Sequence, residues 1–294
     1  MPYVKSNKVK LYYEETGKGY PIIFVHEFGS DLREWEQQVR YFSREYKCIT
    51  FNARGYPPSE VPEDFKQYGY KHSVDDIANL MTKLKINKAH IIGLSMGAYA
   101  ALLFGLKYKG MVKSLVIAGV GSGAMPQHRK GFYSMANELA DDFIKKGSKK
   151  AASIISNSGS RIQLKNKDLR GWLEFKKHLE EHSNIGSALT MQQYQALRPS
   201  LMDFENEFKR MNIPVLLAVG DEDELCLEIN IYLKRQIKTS GLWICSRTGH
   251  AINLEEPAAF NREVQNFLST VERGNWLKRD KESIKDINLS LIHI

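Results

Sequence analysis

Ser95 lies in the stretch of this chain best suited to covalent chemistry, His90-Ile91-Ile92-Gly93-Leu94-Ser95-Met96-Gly97-Ala98. A serine with glycines two before and two after, between an apolar run and a helix-forming run, matches a sharp strand-to-helix turn. Such a turn raises the hydroxyl at its apex. The glycines let neighbouring chain pass without Cβ clashes. The positive end of the following helix favours an oxyanion developing beside the serine. A serine hydroxyl is a weak nucleophile and needs a base. Of eight histidines, His250 is best placed, in Thr248-Gly249-His250-Ala251 just after an apolar run. His72, His90, His128, His178, His182 and His293 lack such a setting and read as structural or surface residues. The imidazole in turn needs an acid to fix its tautomer and stabilise its cation. Gly220-Asp221-Glu222-Asp223-Glu224 ends another apolar run and crowds four carboxylates together. Loop length favours Asp223.

Elements that could carry these groups alternate along the chain. Val9–Glu14 alternates apolar and polar side chains, as an antiparallel strand does. Ile22–His26, Cys48–Phe51, His90–Gly93, Ser114–Gly119, Pro214–Gly220 and Leu242–Cys245 are short apolar runs, the pattern of strands covered on both faces. Helical spacing runs from Glu34 to Phe42, from Ser73 through Leu84, from Met96 to Tyr108, and over 225–237 and 257–270. Ser73 reads as an N-cap, with Asp75 and Asp76 in the first turn. Strands alternating with helices predict an α/β fold, a mostly parallel central sheet with helices on both faces.

Residues 121–212 break the alternation. They hold no convincing strand and read as several short helices divided near Ser156–Ser160. About ninety residues is too long for a loop, so a helical cap over one edge of the sheet is expected. The expected division is therefore 1–120 and 213–270 for the core, 121–212 for the cap, and 271–294 for a C-terminal tail that frays. The cap's Met125, Phe132, Tyr133, Met135, Trp172, Met191 and Tyr194 suit either an apolar pocket or the cap's own core.

Composition narrows the function. The chain has 294 residues and a net charge of +8, with 42 Lys plus Arg against 34 Asp plus Glu. Residues 121–212 hold 15 of the basic and 10 of the acidic side chains. Mixed signs at helical spacing describe a solvated face rather than a nucleic-acid surface. Three scattered cysteines exclude a disulfide framework and a paired-CxxC metal site, and no phosphate-binding lysine loop indicates a nucleotide. No cofactor and no metal are expected. No apolar run is long enough to span a bilayer and the first residues lack a signal-peptide core, so a cytoplasmic protein is expected.

Taken together, these motifs resemble the α/β-hydrolase superfamily, in its serine-type branch with a helical cap. The resemblance covers about residues 8–270. It is similar to the serine-type group that includes 3-oxoadipate enol-lactonases, haloperoxidase-like esterases and meta-cleavage-product hydrolases. It rests on Gly93-Leu-Ser-Met-Gly97, Gly220-Asp-Glu-Asp223 and Gly249-His250, in the order Ser95, Asp223, His250 of that family's triad. The resemblance implies that Val25-His26-Glu27-Phe28-Gly29 is the oxyanion segment, with the backbone N–H groups of Phe28 and Met96 as the hole. His26 is then a loop-shaping residue. Glu27 departs from the family, which has glycine there. Its carboxylate implies a reshaped loop, an outward side chain or a neutralising partner. Phe51–Ser59 departs as well, with Asn52 in place of an acid and Pro57 in place of a glycine, in a loop that is structural in the family.

Serine at the elbow, rather than aspartate, argues for acyl chemistry and against the dehalogenase and epoxide-hydrolase branches. The expectation is a serine hydrolase acting through an acyl-enzyme on an ester, lactone or similar small apolar carbonyl substrate. Hydrolysis of a C–C bond in a meta-cleavage product, or perhydrolysis, could use the same triad. A non-catalytic ligand-binding protein on this fold is the alternative of another class.

Overall fold

The structure is a computed structural model that describes residues 2–280 and 282–285. Eight strands form one sheet in the order β1-β2-β4-β3-β5-β6-β7-β8. They are β1 (Tyr3–Ser6), β2 (Val9–Thr16), β3 (Tyr20–Val25), β4 (Tyr46–Phe51), β5 (Ala89–Leu94), β6 (Val112–Ala118), β7 (Val215–Gly220) and β8 (Ser240–Cys245). β1 and β2 are antiparallel to their neighbours, and all pairings from β4 to β8 are parallel. Tyr3–Ser6 carries too short a pattern to announce itself; it closes the edge by pairing Val4 with Leu11.

The apolar runs of β3, β5, β6 and β7 are continuous because both of their faces are covered. Ile23, Ile91, Leu115 and Leu217 point to one side, toward α2 (Tyr70–Lys83) and α3 (Met96–Lys107). Ile22, Phe24, Ile92, Val116 and Leu216 point to the other. There they meet Trp35 and Phe42, on and beside α1 (Glu36–Phe42), and Phe260 and Phe267 of α11 (Pro257–Glu272). Burying side chains of this size stabilises the fold by roughly 1.5–3 kcal/mol each. The second helix starts earlier than its capping signal suggests. α2 begins after Gly69, and Ser73 lies inside it rather than at its cap. The chain enters through a turn at Tyr68-Gly69, where Gly69 has a φ of 129° that serine would adopt poorly.

Between β6 and β7 the chain forms helices joined by short loops, with no strand. It comprises α4 (Pro126–Ser156), α5 (Ile162–Lys167), α6 (Leu169–Glu180), α7 (Asn184–Leu189), a π-helical turn (Thr190–Gln195) and α8 (Glu205–Arg210). The expectation of short helices fails at α4, which spans 31 residues. Gly147, at φ 80°, breaks it into two rods, and Asn184 of α7 caps the second through Ser148 N–H at 2.8 Å. α4 packs on α6 and α7, and their contacts bury Ala140, Phe143, Phe175 and Leu179.

After β7 come α9 (Leu227–Gln236) and, past β8, α10 (Ile252–Glu255) and then α11. The expected fraying does not begin at Val271. Trp276 stacks edge-on against Phe267 at 4.6 Å, and its indole N–H donates to Thr239 C=O at 2.7 Å. A tryptophan supplies enough apolar area to hold a segment that is otherwise polar. His293 and the apolar end of the tail lie outside the described residues. No helix among the described residues is long and apolar enough to cross a membrane.

Candidate active site

Ser95 sits between the end of β5 and the start of α3 with φ 52° and ψ −110°, a strained geometry for a residue with a side chain. Tight packing holds it there. A Cβ on Gly97 would lie 2.0 Å from Val25 C=O, and one on Gly93 would lie 2.5 Å from the Gly97 carbonyl carbon. The spacing of the two glycines is thus a packing requirement. Ser95 N–H donates to Ala118 C=O at 2.8 Å, which ties the turn to β6.

His250 follows β8 and faces the same end of the sheet. Its Nδ1 is 2.7 Å from Asp223 Oδ2, and both residues are buried. Donation of Nδ1–H to Asp223 leaves Nε2 as the ring's free base. Burial opposes an imidazolium here, but the Asp223 carboxylate outweighs it and holds the His250 pKa well above the usual imidazole value. The four carboxylates of the acid loop separate cleanly. Asp221 accepts from Thr248 N–H at 3.1 Å, Glu222 accepts from the Gln163 amide, Glu224 is exposed, and Asp223 alone reaches the imidazole.

Glu255 is a residue that sequence reasoning missed. Its buried carboxylate accepts from Gly249 N–H at 2.6 Å and from Ala251 N–H at 3.1 Å, clamping the backbone on both sides of His250. The signal was present in Asn253-Leu254-Glu255-Glu256, but either glutamate fitted it. Cys226 was missed as well. Its Sγ lies 3.9 Å from His250 Nδ1 and 3.3 Å from Gly119 C=O. Asp223, Cys226 and His250 form a group of three potential metal donors among the described residues. Burial pushes the Cys226 thiol up, however, which disfavours the thiolate a metal would need.

The two oxyanion candidates are both tethered by buried tyrosines. Tyr56 Oη donates to Phe28 C=O at 3.0 Å, and Tyr194 Oη donates to Met96 C=O at 2.9 Å. Each bond holds the carbonyl of a residue whose N–H is an expected oxyanion donor. His26 is spent on shape. One ring nitrogen bonds Glu27 C=O at 2.7 Å, the other accepts from Ala53 N–H at 2.9 Å, and burial lowers its pKa to about 4. Asn52 is likewise structural, accepting from Leu32 N–H and donating to Pro57 C=O.

Glu27 does not turn outward. It is 2% exposed, and its carboxylate meets Arg161 Nη2 at 2.5 Å. Arg161 comes from the helical insertion, just before α5, and stacks over Phe175 at 5.0 Å. The same Glu27 Oε2 lies 3.7 Å from His250 Nε2. Glu27 N–H donates to Glu34 Oε1 at 3.0 Å. Burial, aided by the Glu27 charge, raises the Glu34 pKa well above its ordinary value. A cavity of about 650 Å³ opens above these groups. Phe28, Phe132, Met135, Leu139 and Met191 make its apolar walls. Of the expected pocket side chains, Phe132, Met135 and Met191 line it. Trp172 and Tyr194 instead pack within the core, Met125 packs against it, and Tyr133 is exposed.

A family model described as the alpha/beta hydrolase fold matches residues 20–257. The chain belongs to the α/β-hydrolase family. It is 28% identical over 275 residues to the AB hydrolase superfamily protein YisY of Bacillus subtilis, covering 91% of this chain and 99% of that one. Among solved structures, a thermophilic esterase from Thermogutta terrifontis superposes with a TM-score of 0.80 at 21% identity, covering 92% of this chain and 98% of the other. The enol-lactonase from Burkholderia xenovorans gives 0.79 at 19% identity, covering 91% and 100%. Within this α/β hydrolase, the sheet holds Ser95, Asp223 and His250, whereas the helical insertion brings Arg161 to the Glu27 carboxylate.

Proposed function

We propose that this α/β hydrolase is a serine hydrolase that cleaves a carboxylic ester, lactone or similar carbonyl substrate. The observation that carries the reading is the Asp223–His250 bond of 2.7 Å at the mouth of the strained Ser95 turn, with all three residues lining one largely apolar cavity. Ser95 Oγ attacks the carbonyl carbon while His250 Nε2 takes its proton. The Phe28 and Met96 N–H groups receive the negative charge that develops on the carbonyl oxygen. His250 returns the proton to the leaving group, and the acyl group stays on Ser95. Water then enters with His250 as base, and the acid is released. Asp223 holds the imidazole tautomer and stabilises its cation throughout.

Residues 121–212 serve as the cap that selects the substrate, supported by Phe132, Met135, Leu139 and Met191 in the cavity wall. A small apolar acyl group is the natural occupant. The three cysteines are unpaired, in keeping with a reducing, cytoplasmic setting. A purely ligand-binding role has little support, because the strained turn and the buried acid–imidazole pair are costly features with no use in binding alone.

The test is covalent labelling by a fluorophosphonate. Wild type should label and Ser95→Ala should not, with His250→Ala labelling far more slowly. A folded wild type that stays unlabelled would overturn the reading in favour of the binding protein.

A further inference from the structure

Glu27 stands where an ordinary hydrolase of this kind needs no side chain at all, and its position is specific. Its Oε2 is 3.7 Å from His250 Nε2, the nitrogen that serves as base, and 2.5 Å from Arg161 Nη2. A separation of 3.7 Å exceeds a direct hydrogen bond, and one water at about 2.8 Å from each atom could bridge it. Glu27 Oε1 is buried with no hydrogen-bond partner among the described residues, so the carboxylate has acceptor capacity to spare. Arg161, stacked over Phe175, keeps the carboxylate from swinging onto the imidazole. Glu27, Ser95 and His250 all line the same cavity.

We infer that Glu27 is a further catalytic residue, which with His250 holds the water that hydrolyses the acyl-enzyme. This inference rests on the serine-hydrolase reading. The water donates one hydrogen to His250 Nε2 and the other to Glu27 Oε2, which leaves an oxygen lone pair for the acyl carbon on Ser95. As the new C–O bond forms, the first proton passes to His250 Nε2. The C–Oγ bond then breaks, and Ser95 Oγ takes that proton back. Glu27 remains a carboxylate and accepts the hydrogen that stays on the product acid. Arg161 is a positioning residue that acts through Glu27. The first half-reaction, in which His250 takes its proton from Ser95 rather than from water, does not call on Glu27.

The experiment compares wild type with Glu27→Gln and Glu27→Asp, using p-nitrophenyl butyrate as the probe with and without added methanol. Acyl-enzyme is read by intact mass, and the ratio of methyl ester to free acid reports the second half-reaction alone. In Glu27→Gln, fluorophosphonate labelling at a pH above the His250 limb should stay close to the wild-type rate. Turnover should fall on the order of tenfold to 100-fold, the scale of a misplaced reactant. Acyl-enzyme should accumulate, and the ratio of methyl ester to acid should rise, because methanol loses less than water from the missing acceptor. Glu27→Asp, which keeps the charge but draws it back by one methylene, should fall between the two and carries the test if the glutamine variant does not fold. An unchanged product ratio overturns the inference, as does a parallel loss of labelling and turnover. Failure of folded wild type both to label with the fluorophosphonate and to hydrolyse the ester would instead sink the serine-hydrolase reading itself.

Discussion

Two regions meet at the active site and are built by opposite means. Ser95, Asp223 and His250 stand on turns at one end of the sheet, fixed locally by the strained Ser95 dihedrals, by Gly93 and Gly97 where a Cβ would clash with backbone, and by the carboxylate clamp of Glu255. The Glu27–Arg161 contact joins the oxyanion segment to the helical insertion through a buried ion pair of two side chains 134 residues apart. In the proposed reaction the first region supplies the chemistry from a rigid frame. The second is held by side chains far apart in sequence rather than by local turns.

The comparison predicts a graded set of effects. Ser95→Ala or His250→Ala should lower kcat by about 10⁶-fold, and Asp223→Asn by about 10⁴-fold, with circular dichroism unchanged. A drop of only a few-fold in steady-state hydrolysis would mean that the sheet region is not the catalytic one. Arg161→Met leaves the Glu27 carboxylate buried and unpaired, and chemical denaturation should show a loss of about 3–5 kcal/mol. The double variant Glu27→Leu/Arg161→Met should recover most of that loss, because apolar replacement of a buried pair is often neutral. Such a protein would be stable yet slow, which separates the pair's role in folding from its role in chemistry. If Arg161→Met costs nothing, the insertion is not held by this contact.

The pH profile sharpens the same contrast. In the proposed mechanism His250 acts as base only when neutral, and Asp223 holds its pKa above the usual 6.5 despite burial. The acid limb of kcat/KM should therefore have its midpoint above 6.5 and move down in Glu27→Gln, which removes a negative charge 3.7 Å from Nε2. An unmoved limb would place the two regions out of electrostatic contact. The smallest effect is expected at Arg170, paired with Glu174 on an exposed helix face. Arg170→Ala should leave the melting temperature within error, since exposed pairs contribute little.

The residues legible in the sequence are those whose placement depends on local chain. Gly93 and Gly97 are needed by the turn they flank, and the apolar runs of β3, β5 and β7 are what strands buried on both faces require. Asp223 could be favoured among four neighbouring carboxylates, although the loop alone did not isolate it. Arg161 was invisible, because nothing near Ser160-Arg161-Ile162 indicates a partner at Glu27. Glu255 and Trp276 were hidden for a related reason: a glutamate at a helix entry and a tryptophan in a polar tail look alike whether docked or exposed. Gly147 was passed over because a single glycine in a helical stretch does not say whether the helix bends or ends.

The most direct test of the account is peptide mapping of the fluorophosphonate adduct on the wild-type protein. The account predicts one adduct, on Ser95, formed far more slowly when His250 is replaced by alanine. An adduct on another residue, or none on a folded protein, would contradict it.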